Sequence, residues 1–254
     1  MTAISKTALV TGGSRGLGKD MALSLAQKGI DVVLTYHSRQ DEAQAVVAAI
    51  QALGRKAAAL QLNTGEVATF ATFAGELTNT LSATFDTSHF DFLINNAGIA
   101  GYTPIGQVTE AEFDQLTNVH YKGVFFLTQT LLPIMNDGGR LINISSGLAR
   151  FSYPGSSVYG SLKGAVEVLT RYMAKELGPR RITANVVAPG PVATDFGGGH
   201  VRDNEEYNRQ LSSLTALGRV GLPEDIGGVV AFLCSEEARW VNAQRIEVAG
   251  GIFI

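Results

Sequence analysis

Thr7-Ala8-Leu9-Val10-Thr11-Gly12-Gly13-Ser14-Arg15-Gly16-Leu17-Gly18 decides the fold. A short apolar run without polar alternation ends in a glycine-rich turn, and the turn opens a helical pattern over residues 16–28. A run of that kind reads as a strand covered on both faces. The glycines let backbone amides approach a pyrophosphate held at a helix N-terminus. Strand, turn, helix and second strand follow in order, the context that a dinucleotide site requires. Gly12, Ser14, Arg15, Gly16, Leu17 and Gly18 are therefore the expected phosphate-side contacts.

Outward from this turn, short apolar runs alternate with longer amphipathic ones. Strands are expected at 7–11, 31–36, 57–62, 92–95, 140–145, 182–187 and 245–248. Helices are expected at 16–28, 41–53, 66–81, 110–135, 158–177 and 224–234. Such repetition implies parallel pairing through right-handed crossovers, an α/β doubly wound sheet of about seven strands with helices on both faces. No linker or repeat interrupts it, so residues 1–254 read as a single domain. Thr109-x-x-Glu112 has capping-box spacing at a helix start, and Pro223 suits the first turn of another. The stretch 190–217, with three consecutive glycines and a charged run, has no regular pattern. It follows a strand at the ligand-binding end of such sheets and reads as a substrate cover.

Composition excludes several classes. Twenty basic residues against 23 acidic ones give a net charge of −3, and no global field favours nucleic acid or an anionic membrane. Cys234 is the only cysteine, so no internal disulfide or cysteine-based metal cluster forms. No His/Asp/Glu group has metal-site spacing. The start, Met1 to Gly13, lacks the apolar run of a signal peptide, and no stretch reaches the ~20 apolar residues of a membrane span. A cytoplasmic location is expected.

Of seven tyrosines only Tyr159 is followed four residues later by a lysine, Lys163, and Ser146 stands thirteen residues before it. On a helix, i and i+4 share a face, so the ammonium reaches the phenol and favours its ionised form. A phenol so tuned exchanges a proton with a carbonyl or alcohol oxygen. Cofactor choice is read at the end of the second strand, where an NAD site carries an acid. Here the residues are Tyr36-His37-Ser38-Arg39. Arg39, Ser38 and Arg15 would attract a 2′-phosphate, so NADP(H) is favoured over NAD(H).

The glycine turn, Asn95-Asn96-Ala97-Gly98, Asn118, Ser146, Tyr159-x-x-x-Lys163 and Pro189-Gly190 together resemble the short-chain dehydrogenase/reductase family, from Thr7 to Gly251. The resemblance implies that Ser146 polarises a substrate carbonyl and Tyr159 transfers the proton. Lys163 would lower the Tyr159 pKa and hold the nicotinamide ribose, and Asn118 would bend its helix and hold a water linked to Lys163. Val192 and Thr194 would meet the carboxamide, beyond Pro189 and Gly190. Asn95, Ala97 and Gly98 would line the adenosine side, with Asn63 and Thr64 after the third strand. Asn63 replaces a usual aspartate, residues 63–91 are several positions longer than usual, and Asn242-Ala243 replaces a usual Thr-Gly. His120 reads as structural, and Ser145 competes with Ser146 on residue type alone.

The expected activity is NADP(H)-dependent reduction of a small-molecule carbonyl, or its reverse. A catalytically silent nucleotide-binding regulator is the alternative of another class, and a 3-oxoacyl-carrier-protein reductase one within the enzymes. An enoyl reductase spaces its tyrosine and lysine more widely, and Val166 stands where that lysine would fall. Phe151, Tyr153 and Phe196 are expected at the pocket mouth, where they suit an apolar or aromatic carbonyl compound. Four acids against two arginines over 190–217 weigh against an acidic carrier protein. The apolar circumference of the 110–135 helix and the family likeness imply a homotetramer.

Overall fold

The computed structural model describes residues 5–254; the first four, part of the stretch read as lacking a signal peptide, lie outside the described residues. The glycine turn joins β1 (Thr7–Val10) to α1 (Gly16–Gln27), followed by β2 (Asp31–Tyr36), α2 (Gln40–Ala52) and β3 (Ala57–Gln61). Next come α3 (Phe70–Phe85), β4 (Phe90–Asn95), α4 (Glu110–Thr117), α5 (Gly123–Leu131) and β5 (Met135–Ile144). The chain closes with α6 (Ser157–Leu177), β6 (Thr183–Pro189), α7 (His200–Asp203), α8 (Glu205–Ser213), α9 (Glu224–Leu233) and β7 (Arg245–Val248).

The seven strands form one sheet in the order β3-β2-β1-β4-β5-β6-β7, every pair parallel. Both faces are covered, so all four residues of β1 are buried, and apolar runs replace alternation. Met21, Leu25, Val46, Ile50 and Val230 pack α1, α2 and α9 on one face. Phe73, Leu77, Leu127, Leu169 and Met173 pack α3, α5 and α6 on the other. Each such side chain contributes about 1.5–3 kcal/mol of burial. The strand order reverses between β1 and β4, and a crevice opens there beyond the carboxyl ends of the strands.

Four expectations change. The helix expected at 110–135 is broken by a wide π-helical turn over Asn118–Lys122 and ends at Leu131. Its continuation α5 passes so near β3 that a Cβ on Gly123 would stand 2.1 Å from the Thr64 carbonyl oxygen. Met135, expected in that helix, already belongs to β5, whose register against β4 shifts between Phe90 and Phe92. The helix expected at 66–81 begins with a 3₁₀ turn (Val67–Thr69), and α3 then runs to Phe85, so the extra length of this region is partly one more helical turn with Phe85 buried. The stretch 190–217 holds regular structure too. Asn204 caps α8 by accepting from Tyr207 N at 2.9 Å, and Glu205 and Glu206 fill its first turn.

Candidate active site

The crevice holds a cavity of about 450 Å³, within the usual range for small-molecule sites. Its floor is the glycine turn. Gly12 (φ +65°) and Gly16 (φ +53°) take left-handed conformations that the turn requires. A Cβ on Gly18 would stand 2.1 Å from the Gly12 carbonyl oxygen, so only glycine lets α1 start so tightly against the turn. Arg15 at the N-cap makes no side-chain capping bond, which leaves the first amides of α1 to an anion.

The segment after β4 is tied to this floor. Thr11 Oγ1 accepts from the backbone amides of Asn96 (2.9 Å) and Ala97 (3.0 Å), and Asn96 Nδ2 donates to the Thr11 carbonyl at 2.8 Å. Asn96, Ala97 and Gly98 line the cavity, whereas Asn95 does not. Asn95 Nδ2 donates to Asn143 Oδ1 (2.8 Å) and Thr128 Oγ1 (3.1 Å) within the core. The expectation of Asn95 as a cofactor contact is corrected, because it is committed to a buried network and its neighbour faces the cleft.

At the far end of the floor, Tyr36, His37, Ser38 and Arg39 line the cavity, as do Asn63 and Thr64. Arg39 is 60% exposed along its side chain and pairs with Glu42 at 3.3 Å. Arg15 pairs with Asp195 across the cleft. Both arginines thus line the cavity while paired with partly exposed carboxylates. Asn63 is used locally: Oδ1 accepts from Gly65 N at 3.0 Å and Nδ2 donates to Glu66 at 2.8 Å.

The reactive end lies between β5, α6 and the residues after β6. Ser146 is the N-cap of a 3₁₀ turn and accepts from Leu148 N at 3.2 Å. It lines the cleft together with Tyr159, close enough to act on the phenol's proton. Ser145 Oγ instead donates to Glu167 at 2.7 Å, so only the Ser146 hydroxyl serves the cleft. The helical face expected from the four-residue spacing forms: Lys163 Nζ lies 5.5 Å from the Tyr159 ring centre and donates to the Ile144 carbonyl at 2.8 Å. Burial lowers the Lys163 pKa to about 8. Burial pushes the Tyr159 phenol upward, Tyr102 adds to the rise, and Ser146 pulls it partway back. Burial of the ring dominates the Tyr159 shift, and Lys163 is not among its causes here. Tyr159 therefore stays a phenol across neutral pH.

Asn118 does not line the cavity; Val119 and His120 do. The π-helical turn places His120, only 1% exposed, with its ring edge-on to Tyr159 at 5.0 Å and 87°. The π-helical turn begins at Asn118, where the helix was expected to bend, and it brings the buried His120 ring to the cleft beside Tyr159. Burial chiefly, and Lys163 secondarily, lower the His120 pKa to about 3 against the opposing Ile99 backbone bond. A Cβ on Gly98 would meet His120 Cε1 at 2.8 Å, a signal that becomes legible only once the two segments are side by side.

Pro189, Gly190, Val192 and Thr194 border the cavity as expected, and Phe151, Tyr153 and Phe196 stand at its mouth. Tyr102, Tyr207 and Phe253 join them, and no motif or spacing marks these three. Phe151 contacts Phe253 with ring centres 5.2 Å apart. The cleft thus runs from a basic, glycine-lined floor past a phenol, hydroxyl and ammonium to an aromatic mouth. That sequence of surfaces accommodates an anionic dinucleotide, a carbonyl or alcohol, and a flat apolar body. Among the described residues no group of three metal-ligating side chains forms, and no helix is long and apolar enough to cross a membrane.

The family model described as enoyl-(acyl carrier protein) reductase matches residues 12–252. An uncharacterised oxidoreductase of Methylorubrum extorquens is 40% identical over 249 residues, covering 97% of each chain. The promiscuous reductase LugOII, described as catalysing keto-reduction at C1 during lugdunomycin biosynthesis, superposes with TM-score 0.93 at 36% identity over 100% of both chains. The angucycline C-6 ketoreductase LanV, solved with bound NADP, superposes with TM-score 0.92 at 38% identity, covering 98% of this chain and 96% of its own.

Proposed function

This chain belongs to the short-chain dehydrogenase/reductase family, and we propose that it is an NADP(H)-dependent carbonyl reductase acting on an aromatic or fused-ring ketone. The observation that carries the reading is Tyr159 in an aromatic-mouthed cleft that Ser146 also lines, backed by Lys163. The likeness to two ketoreductases, one solved with NADP, supports both the reaction and the cofactor.

The residues present fit the cofactor. The glycine turn with left-handed Gly12 and Gly16, the free first turn of α1, and Arg15 and Arg39 suit a dinucleotide with a 2′-phosphate. When bound, the reduced nicotinamide supplies the hydride. Ser146 donates to the substrate carbonyl oxygen and fixes its position beside Tyr159. Tyr159, held as a phenol by burial, gives its proton to the oxygen as charge develops there. Lys163, pinned by Ile144, keeps a positive charge near the forming phenolate.

The match to an enoyl reductase model gives a second reading, reduction of a carbon–carbon double bond. The four-residue spacing of Tyr159 and Lys163, with Val166 where a more distant lysine would fall, weighs for the carbonyl reductase. Following NADPH absorbance with a panel of fused-ring ketones and matched enones separates the two. Ketone turnover supports the proposal; enone-only turnover supports the second reading; cofactor binding without turnover supports a silent nucleotide-binding protein. Cytoplasmic location and a homotetramer remain part of the proposal, the latter supported by Phe113, Phe125, Val168 and Tyr172 exposed on α4, α5 and α6.

A further inference from the structure

Arg245 stands on β7, the last strand of the sheet, yet its side chain is only 10% exposed and reaches past β6 to the end of β5. The guanidinium is engaged in three directions. Nε donates to Glu167 at 2.6 Å, Nη1 to Glu247 at 2.8 Å, and Nη2 to the Ser146 carbonyl oxygen at 3.3 Å. Glu167 lies one turn beyond Lys163 on α6, and its Oε1 also accepts from Ser145 Oγ at 2.7 Å. The Ser145 amide donates to the Val187 carbonyl at 2.8 Å. One buried ion pair therefore grips the hydroxyl of Ser145 and the carbonyl of Ser146, and its carboxylate rides on the helix that carries Tyr159 and Lys163. The Ala149 amide also donates to the Ser146 carbonyl, at 3.1 Å, but that bond lies within the 3₁₀ turn and moves with it. A buried ion pair is weak evidence for stability, since apolar packing can replace it. Its forked geometry fixes position, which the point charge of a lysine does not.

We propose that Arg245, with Glu167, is a positioning residue for carbonyl reduction: the pair sets the Ser145–Ser146 backbone against α6, and so the placement of the Ser146 hydroxyl beside Tyr159. The proposal rests on the carbonyl-reductase reading above, in which Ser146 holds the substrate oxygen next to that phenol. Neither Arg245 nor Glu167 borders the cleft, so their effect on turnover passes through the serines. Glu247 and the exposed Arg150, paired at 3.1 Å, complete the charge balance on the outer side of Arg245 and touch neither serine. Misplacing a reacting group by about 1 Å costs up to about a hundredfold in rate, so a partial loosening of this grip is worth about tenfold.

Arg245→Lys keeps a positive charge between the two carboxylates but cannot span Glu167, Glu247 and the Ser146 carbonyl together. We expect it to lower kcat by about tenfold, with the NADPH Kd within about twofold. Glu167→Gln keeps the side-chain shape and should lower kcat by about fivefold; it carries the test where Arg245→Lys does not fold. A double-mutant cycle with Ser146→Ala separates positioning from general weakening. Deleting the hydroxyl should cost at least about twofold less kcat in either variant than in the wild type, because a displaced hydroxyl has less to lose. A wild type inactive on every ketone would overturn the underlying reading and this proposal with it. With an active wild type, two results would overturn the proposal alone: undiminished kcat in a folded Arg245→Lys or Glu167→Gln variant, or a Ser146→Ala loss equal in variant and wild type.

Discussion

Arg39→Ala separates the two nicotinamide cofactors by an amount that follows from the structure. Arg39 borders the adenosine end of the cleft and is held only by an exposed pair with Glu42, one helical turn away. Exposed pairs of this kind are worth about 0.2–1 kcal/mol, because water and salt screen them. A hydrogen bond to a charged partner such as a 2′-phosphate is worth about 1.5–3 kcal/mol. Exchanging carboxylate for phosphate therefore leaves Arg39 a net contribution of roughly 0.5–2.8 kcal/mol, or about two- to hundredfold in affinity. NADH lacks the phosphate and gains none of it. Glu42→Gln tests the same exchange with opposite sign: freeing Arg39 should tighten NADPH by up to about fivefold and leave NADH alone. Fluorescence titration and kcat/KM with both cofactors measure these values, at low and high salt. A wild type that prefers NADH, or an Arg39→Ala loss equal for both cofactors, refutes the reasoning.

Further outcomes follow from the same geometry. Placing Asp at Tyr36 (Tyr36→Asp) adds a ribose acceptor that repels a phosphate, and should move kcat/KM toward NADH. For reduction, kcat should hold through neutral pH and fall above about 8, as Lys163 loses its ammonium; a profile flat to pH ~10 contradicts the lowered pKa. His120 binds its proton at about 3 when folded against 6.5 ordinarily, so the unfolded chain holds the extra proton between those values. Stability should fall as pH drops through that window, by roughly 3–5 kcal/mol in all, and His120→Asn should lose that dependence in acid-unfolding curves. Light scattering of the purified protein should give more than a monomer mass, and a monomer at micromolar concentration would remove the tetramer from the reading.

Much of the architecture was legible because local chemistry and global packing agree. The limits of β2 and β7 follow the sequence pattern residue for residue, and Thr109 caps α4 by accepting from Glu112 N at 3.2 Å. The glycine turn was readable for a steric reason, since only glycine fits where Gly12 and Gly18 meet. Which residue of the Asn118–Lys122 turn reaches the cleft was not legible, because residue type was available and helix phase was not. A π-helical turn has ordinary composition, and it arises where α5 presses Gly123 against Thr64, a contact distant in sequence. Asn95 and Asn96 were indistinguishable for a related reason: a strand buried on both faces has no polar alternation to say which side chain faces the cleft. The tuning of Tyr159 was misjudged because spacing reveals the neighbouring charge but not the depth of burial, and burial dominates. The helix α8, by contrast, carried a readable start in Asn204-Glu205-Glu206, obscured by the glycines before it.

Single-turnover and steady-state reduction by Tyr159→Phe, with NADPH affinity measured on the same sample, tests the central claim most directly. Phe keeps the ring against His120 and Phe196 and deletes only the proton. The account predicts a kcat lower by about 10²–10⁴-fold with the NADPH Kd within about twofold of wild type. Wild-type kcat in this variant, on a ketone that the wild type reduces, would contradict it.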